Sequence, residues 1–181
     1  MKKRKRIILV GHAASGKDYL CDKFIEKGYE KDISATTRQP RDNETPGETY
    51  HYTTDEDFNR RVLNNEFYEH VEFNGWKYGT LRKSWEQSDI FIMTPSGVGH
   101  ITPQERSECI IVYIEIPEEI RRQRLELRSD ADTTERRLKA DEKDLKGFID
   151  YDYRINDPNF DAASWIEILG SELTAGNIYR I

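Results

Sequence analysis

The sequence predicts a three-layer α/β fold built on a mostly parallel sheet. Three observations carry that expectation. Short apolar runs stand at residues 7–10, 90–93 and 110–116, the pattern of strands buried on both faces. Segments with helical spacing of apolar residues separate them, and strands alternating with helices fold as parallel sheets covered on both sides. A glycine-rich turn over residues 11–16 joins the first apolar run to the first helical segment.

The elements follow in order. The first strand covers residues 6–10 and stops at Gly11. A helix over residues 17–27 has Leu20, Phe24 and Ile25 as its apolar face, and Gly28 is placed to end it. Residues 34–54 are polar and rich in Thr, Arg, Pro and Gly, so they read as a loop-rich excursion with short strands. Thr54 and Asp57 resemble a capping box, with Phe58, Val62 and Leu63 at helical spacing behind it. Residues 67–74 alternate, which puts Phe67, Glu69, Val71 and Phe73 on one face and Tyr68, His70 and Glu72 on the other. A turn at Asn74-Gly75 leads into a strand over residues 78–81. Core strands follow at residues 90–93 and 110–116, and Pro117 opens a helix that runs to about residue 128. A charged helix over residues 133–146, a short strand over 151–155, a loop at Asn156-Asp157-Pro158 and a helix over 161–169 complete the chain. The organisation expected is one domain, residues 1–181. Its core is 1–33, 82–125 and 148–181, with an insertion at about 34–81 and a charged helical flap, the lid, at about 126–147.

Composition narrows the function classes. The chain has 181 residues, with 28 Lys+Arg against 34 Asp+Glu and a formal net charge of −6. General binders of nucleic acid or anionic membrane are usually basic, so neither partner is expected. Cys21 and Cys109 are no disulfide framework, and a cytoplasmic location is expected. The longest apolar runs are far too short to span a bilayer. The start MKKRKRIILVG has too short an apolar stretch for a signal peptide. Residues 2–6 read as a solvated lead-in to the first strand.

Residues 11–18, Gly-His-Ala-Ala-Ser-Gly-Lys-Asp, fit G-x-x-x-x-G-K with Asp where Ser or Thr is usual. The context matches too, because the motif follows an apolar strand and opens a helix. Its backbone N–H groups can curl around phosphate oxygens, and the helix N-terminus adds favourable partial charge. Lys17 would reach the β- and γ-phosphates. The competing reading is a tight strand-to-helix turn with a surface lysine. Asp18 can ligate Mg²⁺ through oxygen, directly or through water.

A second constellation lies in the insertion. Glu69 sits on the apolar face of its strand, and a buried carboxylate must find donors. A salt bridge to an arginine or an edge strand with weak burial would satisfy it. So would a ligand that offers paired N–H groups, as guanine does through N1–H and its exocyclic amine. Upstream, Arg38 and Arg41 flank a proline, and arginine forks bind phosphate bidentately. Tyr50 and Tyr78 can each donate a hydroxyl. Alone, such arginines are more often solvated and such tyrosines more often packing residues.

Together these segments resemble the guanylate kinase family. TTRQPRDNETPGETYHY (residues 36–52) is similar to the family's acceptor signature, and EFYEHVEFNGWKYGT (66–80) to its next block. RLELR (124–128), ERRLKAD (135–141) and YDYRINDPNFDAA (151–163) resemble its lid and adenine-side segments. The likeness covers nearly the whole chain in the family's order. It implies a P-loop kinase with an inserted GMP-binding lobe and a helical lid, acting on GMP or dGMP with ATP as donor and Mg²⁺. Arg38, Arg41, Tyr50 and Tyr78 are then expected at the GMP phosphate. Glu69 is expected at the guanine N1–H and amine, Ser34 and Thr80 at O6, and Gly79 and Thr94 beside them. Gly11, His12, Ala13, Ala14, Ser15, Gly16, Lys17, Asp18 and Tyr19 are expected around the ATP phosphates, and Asn156 near the adenine. Lys17, Arg41, Arg128 and Arg137 are the expected catalytic cations, and Asp18 the metal ligand. A monomer or homodimer is expected.

Three departures from the family pattern stand out. Asp18 replaces a hydroxyl residue. Thr94 sits where an acid is expected, and Asp18 is a candidate to supply that lost carboxylate. The lid is about two residues shorter between Arg128 and Arg137. The first two also resemble ribose 1,5-bisphosphate kinases, which need no guanine site. A non-catalytic binding module of the same fold is the other alternative, and the intact phosphate loop argues against it.

Overall fold

The computed structural model describes residues 5–42, 44–127 and 133–175. In chain order its elements are β1 (Arg6–Gly11), α1 (Lys17–Ile25), β2 (Ala35–Thr36), β3 (His51–Tyr52), α2 (Asp55–Leu63), β4 (Phe67–Phe73), β5 (Trp76–Leu81), α3 (Arg82–Gln87), β6 (Ile90–Ile92), α4 (Pro95–Val98), α5 (Pro103–Arg106), β7 (Cys109–Ile114), α6 (Glu118–Glu126), α7 (Thr134–Leu145), β8 (Tyr153–Ile155) and α8 (Ala162–Ala175). They form two compact units. One is Asp32–Ser88; the other comprises the described residues up to Lys31 and from Asp89 onward.

The larger unit is built on a parallel sheet in the order β6-β1-β7-β8. β1 pairs with β6 through Ile7↔Ile90 and with β7 through Arg6↔Cys109. Both faces of β1 are covered, as its run of Ile7, Ile8, Leu9 and Val10 requires, and all four are fully buried. Ile7, Leu9, Val112 and Ile114 pack with Leu20, Cys21 and Phe24 of α1 and with Ile166, Leu169 and Leu173 of α8. Three expectations change here. Ile25 is 44% exposed, and Cys21 takes its place in the core. Arg6 is no solvated lead-in but a buried strand residue, paired with Glu108 at 3.3 Å. Pro117 caps α6 rather than standing in its first turn. Among the described residues no helix is long and apolar enough to cross a membrane.

The smaller unit carries a second sheet in the order β3-β2-β5-β4. The hairpin of β4 and β5 turns at Asn74 and Gly75, with φ of 55° and 80°; a two-residue turn with two positive φ angles matches the twist of the strands. Thr54 caps α2 by accepting the Asp57 N–H. The Asp57 carboxylate does not complete a capping box. It accepts from Thr53 at 2.8 Å and pairs with Arg61 at 3.0 Å. Leu63 is 87% exposed, so Phe58 alone anchors α2 fully in the core.

One irregularity changes which residues share a face. Phe67 pairs with Leu81, but Glu69 pairs with Thr80, so Tyr68 is an extra residue in β4. Such a bulge breaks the period of two. Leu81 and Thr80 are neighbours and project to opposite faces, and therefore Phe67 and Glu69 do as well. The expected common face of Phe67 with Glu69, Val71 and Phe73 does not form. Phe67 instead stacks on Phe58 at 4.5 Å and packs with Ala35, a cluster joined by Val62 and Leu81. The bulged Tyr68 stacks on Trp85 of α3 at 3.9 Å. Glu69 is left on a face with Thr80 and, by register, with Tyr78 and Thr36.

Gly79 lies beneath Phe67 on the apolar face. A Cβ there would stand 2.7 and 2.8 Å from Phe67 ring carbons and 3.2 Å from the Glu69 carbonyl oxygen. Gly79→Ala therefore overpacks this cluster, and the expected loss is about 1–3 kcal/mol. A lowered urea midpoint at unchanged slope is the result to look for. An unchanged midpoint would show that the Phe67 ring is not held as described.

Candidate active site

The glycine-rich loop of residues 11–16 forms where β1 ends. Gly16 has φ of 104°, and Ala14 also adopts a positive φ of 58°, so the chain curls before α1 begins at Lys17. Lys17 Nζ donates to the carbonyls of Gly11 and His12, each at 2.7 Å. Ser15 Oγ and His12 Nδ1 are buried and make no hydrogen bond. Burial, then the positive charges of Arg121 and Lys17, push the His12 imidazole down to about 4. It is therefore neutral at physiological pH and adds no charge to the loop.

Ala13 N–H is already engaged. It donates to Asp141 Oδ2 of α7 at 2.6 Å. Ala14, Leu125 and Leu138 form an apolar cluster that seats α6 and α7 against the loop, with Ala13 packed on it. Arg137 of α7 is buried rather than on an exposed helix face, and its charge acts on Asp141. Arg128 lies outside the described residues.

A pocket of about 570 Å³ adjoins the loop, lined by Ala14, Ser15, Gly16, Lys17, Asp18, Tyr19, Arg124, Leu127, Pro158, Asn159 and Phe160. Arg124 braces it by donating to Ala14 O at 3.0 Å and Pro158 O at 2.7 Å. The Tyr19 ring, 51% exposed, lies 5.9 Å from Phe160. Asn156 is exposed just after β8 and does not line this pocket; Asn159 does. Asp18 is exposed in the first turn of α1. Among the described residues no cluster of three or more His, Cys, Asp or Glu could hold a metal. Mg²⁺ bound through substrate phosphates needs only one or two protein carboxylates, and Asp18 beside Lys17 fits that requirement. Thr94 caps α4, its hydroxyl accepting Gly97 N–H at 3.1 Å.

In the smaller unit one carboxylate organises the arginines. Glu44 accepts from Arg38 Nη2 at 2.7 Å, from the Arg41 backbone N–H at 2.8 Å and from Tyr52 OH at 2.7 Å. Arg41 Nη1 is 3.5 Å away. Burial alone would raise the Glu44 carboxyl, but the donors, Arg38 foremost, outweigh it and hold it at about 2. Arg38 lies 5.4 Å over the Tyr50 ring, and Tyr50 meets Tyr78 edge-on at 6.1 Å. Four of the expected acceptor residues thus come together, held by a fifth that the reading of the sequence missed. The signal was there: Glu44 follows Arg41 by three.

Glu69 is 6% exposed, and its Oε1 accepts from Thr80 N–H at 3.2 Å and Thr80 Oγ1 at 2.8 Å. The Ser34 hydroxyl donates to the buried Asp32, which also accepts from Ser84. A hydroxyl has one proton. The protons of Ser34 and Thr80 are thus held by carboxylates of their own unit. Asp32 is a second residue the reading missed, since nothing in its local pattern marks it.

Comparisons with known proteins identify the family. A family model described as Guanylate kinase matches residues 3–168. A guanylate kinase of Clostridium perfringens (strain 13 / Type A) is 30% identical over 174 residues, covering 90% of this chain and 81% of that protein. One of Koribacter versatilis (strain Ellin345) is 29% identical over 193 residues, covering 96% and 79%. The crystal structure of guanylate kinase from Anaplasma phagocytophilum shares the fold, with a TM-score of 0.74 at 24% identity over 99% of this chain and 89% of that one. With a family model matched over nearly the full length and a 30% identical relative covered over four fifths of its own length, the chain belongs to the guanylate kinase family.

Proposed function

We propose that this protein transfers the terminal phosphoryl group of ATP to GMP or dGMP. The observation that carries the reading is the buried Glu69 on a polar sheet face with Thr80, in the same unit as the Arg38, Arg41, Tyr50 and Tyr78 cluster. That pairing suits a ligand with an anionic end and a base that donates through two N–H groups. The donor half of the reading rests on residues 11–17 and the adjoining pocket.

The chemistry asked of the protein is modest. Phosphoryl transfer passes through a loose, in-line transition state, so positioning and charge neutralisation do most of the work. Lys17 and the loop amides hold the donor phosphates. Arg38 and Arg41, preset by Glu44, receive the acceptor phosphate, which is itself the nucleophile and needs no strong base. Arg41, Arg128 and Arg137 offset the moving charge. Mg²⁺, held by Asp18 and the phosphates, supplies charge neutralisation when bound. The protein works in the cytoplasm as a monomer or homodimer.

Three outcomes test this. Lys17→Ala should lower kcat by roughly 10²–10³-fold with the fold intact, because a cation at the transferring group is lost. A folded variant with wild-type turnover would remove Lys17 from the reaction.

For the base, kcat/KM is measured with GMP, dGMP, IMP and AMP. Adenine presents an acceptor at N1 and no 2-amine, so Glu69 would face it unpaired. Discrimination on the order of 10⁴-fold is within reach of such a site. IMP keeps N1–H but lacks the amine and should fall between. Glu69→Gln should weaken GMP use sharply while sparing ATP affinity. Equal use of GMP and AMP by the wild type would overturn the guanine assignment.

Glu44 gives a pH signature. Its folded value near 2 lies below the ordinary ~4.3 of a free Glu. Its stabilisation is therefore complete above the ordinary value and fades as the pH falls toward 2. Glu44→Gln leaves Arg38 buried without its carboxylate, a loss of about 3–5 kcal/mol at neutral pH. The gap between wild type and variant should narrow in urea melts below about pH 4. A gap independent of pH would contradict the ion-pair account.

A further inference from the structure

Asp141 stands where α7 meets the phosphate loop. Its side chain is buried, and its Oδ2 accepts the Ala13 N–H at 2.6 Å. Lys17, Arg121 and Arg137 all act on its charge. Arg121 Nη1 lies 3.6 Å from the same Oδ2, too far for a hydrogen bond. That nitrogen is buried and makes no hydrogen bond, although the Nε of the same guanidinium donates to Ile116 O at 2.9 Å. Arg121 itself is 5% exposed.

This is an anion cage, and Asp141 fills it poorly. Asp141 offers two oxygens and a single charge to a loop amide that bonds it, a guanidinium 3.6 Å away, and the charges of Lys17 and Arg137 that act on it. A buried cationic N–H without a partner is costly, and the carboxylate present does not reach Arg121 Nη1. A terminal phosphate has three oxygens and a larger charge, enough to bond amide, Lys17 and Arg121 together. Burial, the largest influence on Asp141, also pushes its carboxyl upward, so the charged side chain sits there under strain that its cations only partly relieve.

We propose that Asp141 is a tethered anion that competes with the donor's terminal phosphate for the phosphate loop. Donor binding displaces the carboxylate and takes over Ala13 N–H, Lys17 and Arg121 Nη1. The contact is thus an autoinhibitory latch between α7 and the loop, and donor affinity is scaled by the fraction of molecules in which it is open. The inference rests on the reading of residues 11–17 as the donor phosphate loop. Arg121 enters the reaction site by it as a phosphate ligand.

Inorganic tripolyphosphate is the probe, because it carries the phosphates without the base. Its binding is measured by calorimetry to wild type, Asp141→Asn and Lys17→Ala. Asn keeps the size and an acceptor but not the charge. If the latch holds most molecules closed, tripolyphosphate and ATP should bind Asp141→Asn about tenfold more tightly. GMP affinity should be unchanged. Equal or weaker binding to a folded Asp141→Asn would overturn the latch. A second readout needs no Asp141 variant. In labelled wild type, the Ala13 amide and the Asp141 carboxyl carbon should shift together as tripolyphosphate is added. An amide that shifts while the carboxyl resonance stays still would also overturn it. Binding to none of the three proteins would sink the phosphate-loop reading and this inference with it, whereas binding to wild type that Lys17→Ala abolishes keeps that reading intact whatever Asp141 does.

Discussion

Gly11 is where strand becomes loop, and no side chain fits there. A Cβ at this position would lie 2.4 Å from the Ile114 carbonyl oxygen and 2.9 Å from Ser15 Oγ. The close approach follows from the pairing of β1 with β7, whose register ends at Gly11↔Ile114. Because the loop leaves β1 against the end of β7, its carbonyls at Gly11 and His12 face Lys17 Nζ. The lysine is thereby held over the loop rather than in solvent. The parallel sheet thus dictates the loop, the loop dictates the lysine, and the buried run of β1 is what fixes the sheet.

Charge is managed by the same device in both units. A net charge of −6 conceals clustered cations, each held by a carboxylate that is itself buried. Glu44 holds Arg38 and Arg41, with side-chain exposures of 8% for Glu44 and 7% for Arg38. Asp141 lies 3.6 Å from Arg121 and feels the charges of Lys17 and Arg137. The two differ in how well they are satisfied. Glu44 accepts three hydrogen bonds and is held near 2, as expected when donors outweigh burial. Asp141 accepts one from the Ala13 amide, and burial dominates. The first arrangement pre-organises its arginines. The second stays open to exchange.

What the sequence disclosed, and what it hid, divides along the range of the interactions. β1, its loop and α1 were legible because a buried strand, a glycine turn and a helix start are all local. So was the Asn74-Gly75 turn. The bulge at Tyr68 was not, because alternation continues unbroken through residues 67–73 and only the partner strand shows the slip. That single residue moved Phe67 to the other face and exposed the reason for Gly79. Ile25 and Leu63 were placed inward by spacing, yet each helix turns them out at its last position. Glu44, Asp32 and Asp141 were missed for a common reason. An acid in a charged sequence carries no mark of burial, even where, as at Glu44, an arginine three residues before it is a local signal. Asn159 and Phe160, which no motif singles out, line the pocket beside the loop.

The two residues that depart from the family pattern, Thr94 and Asp18, can be weighed on the same grounds. Thr94 is committed to a local task, since its hydroxyl caps α4 through Gly97 N–H. A cap accepts one hydrogen bond and needs no charge, so the structure gives that position no demand for an acid. Asp18 stands in the first turn of α1, where the positive end of a helix dipole stabilises a carboxylate. It is also exposed, so its charge carries little desolvation penalty. Residue 18 can thus carry a carboxylate at little cost, and it lies one residue from the lysine that the reading assigns to phosphate. Both positions are helix starts. One is capped by a hydroxyl and the other is stabilised by charge, and neither requires a change in the sheet that carries them.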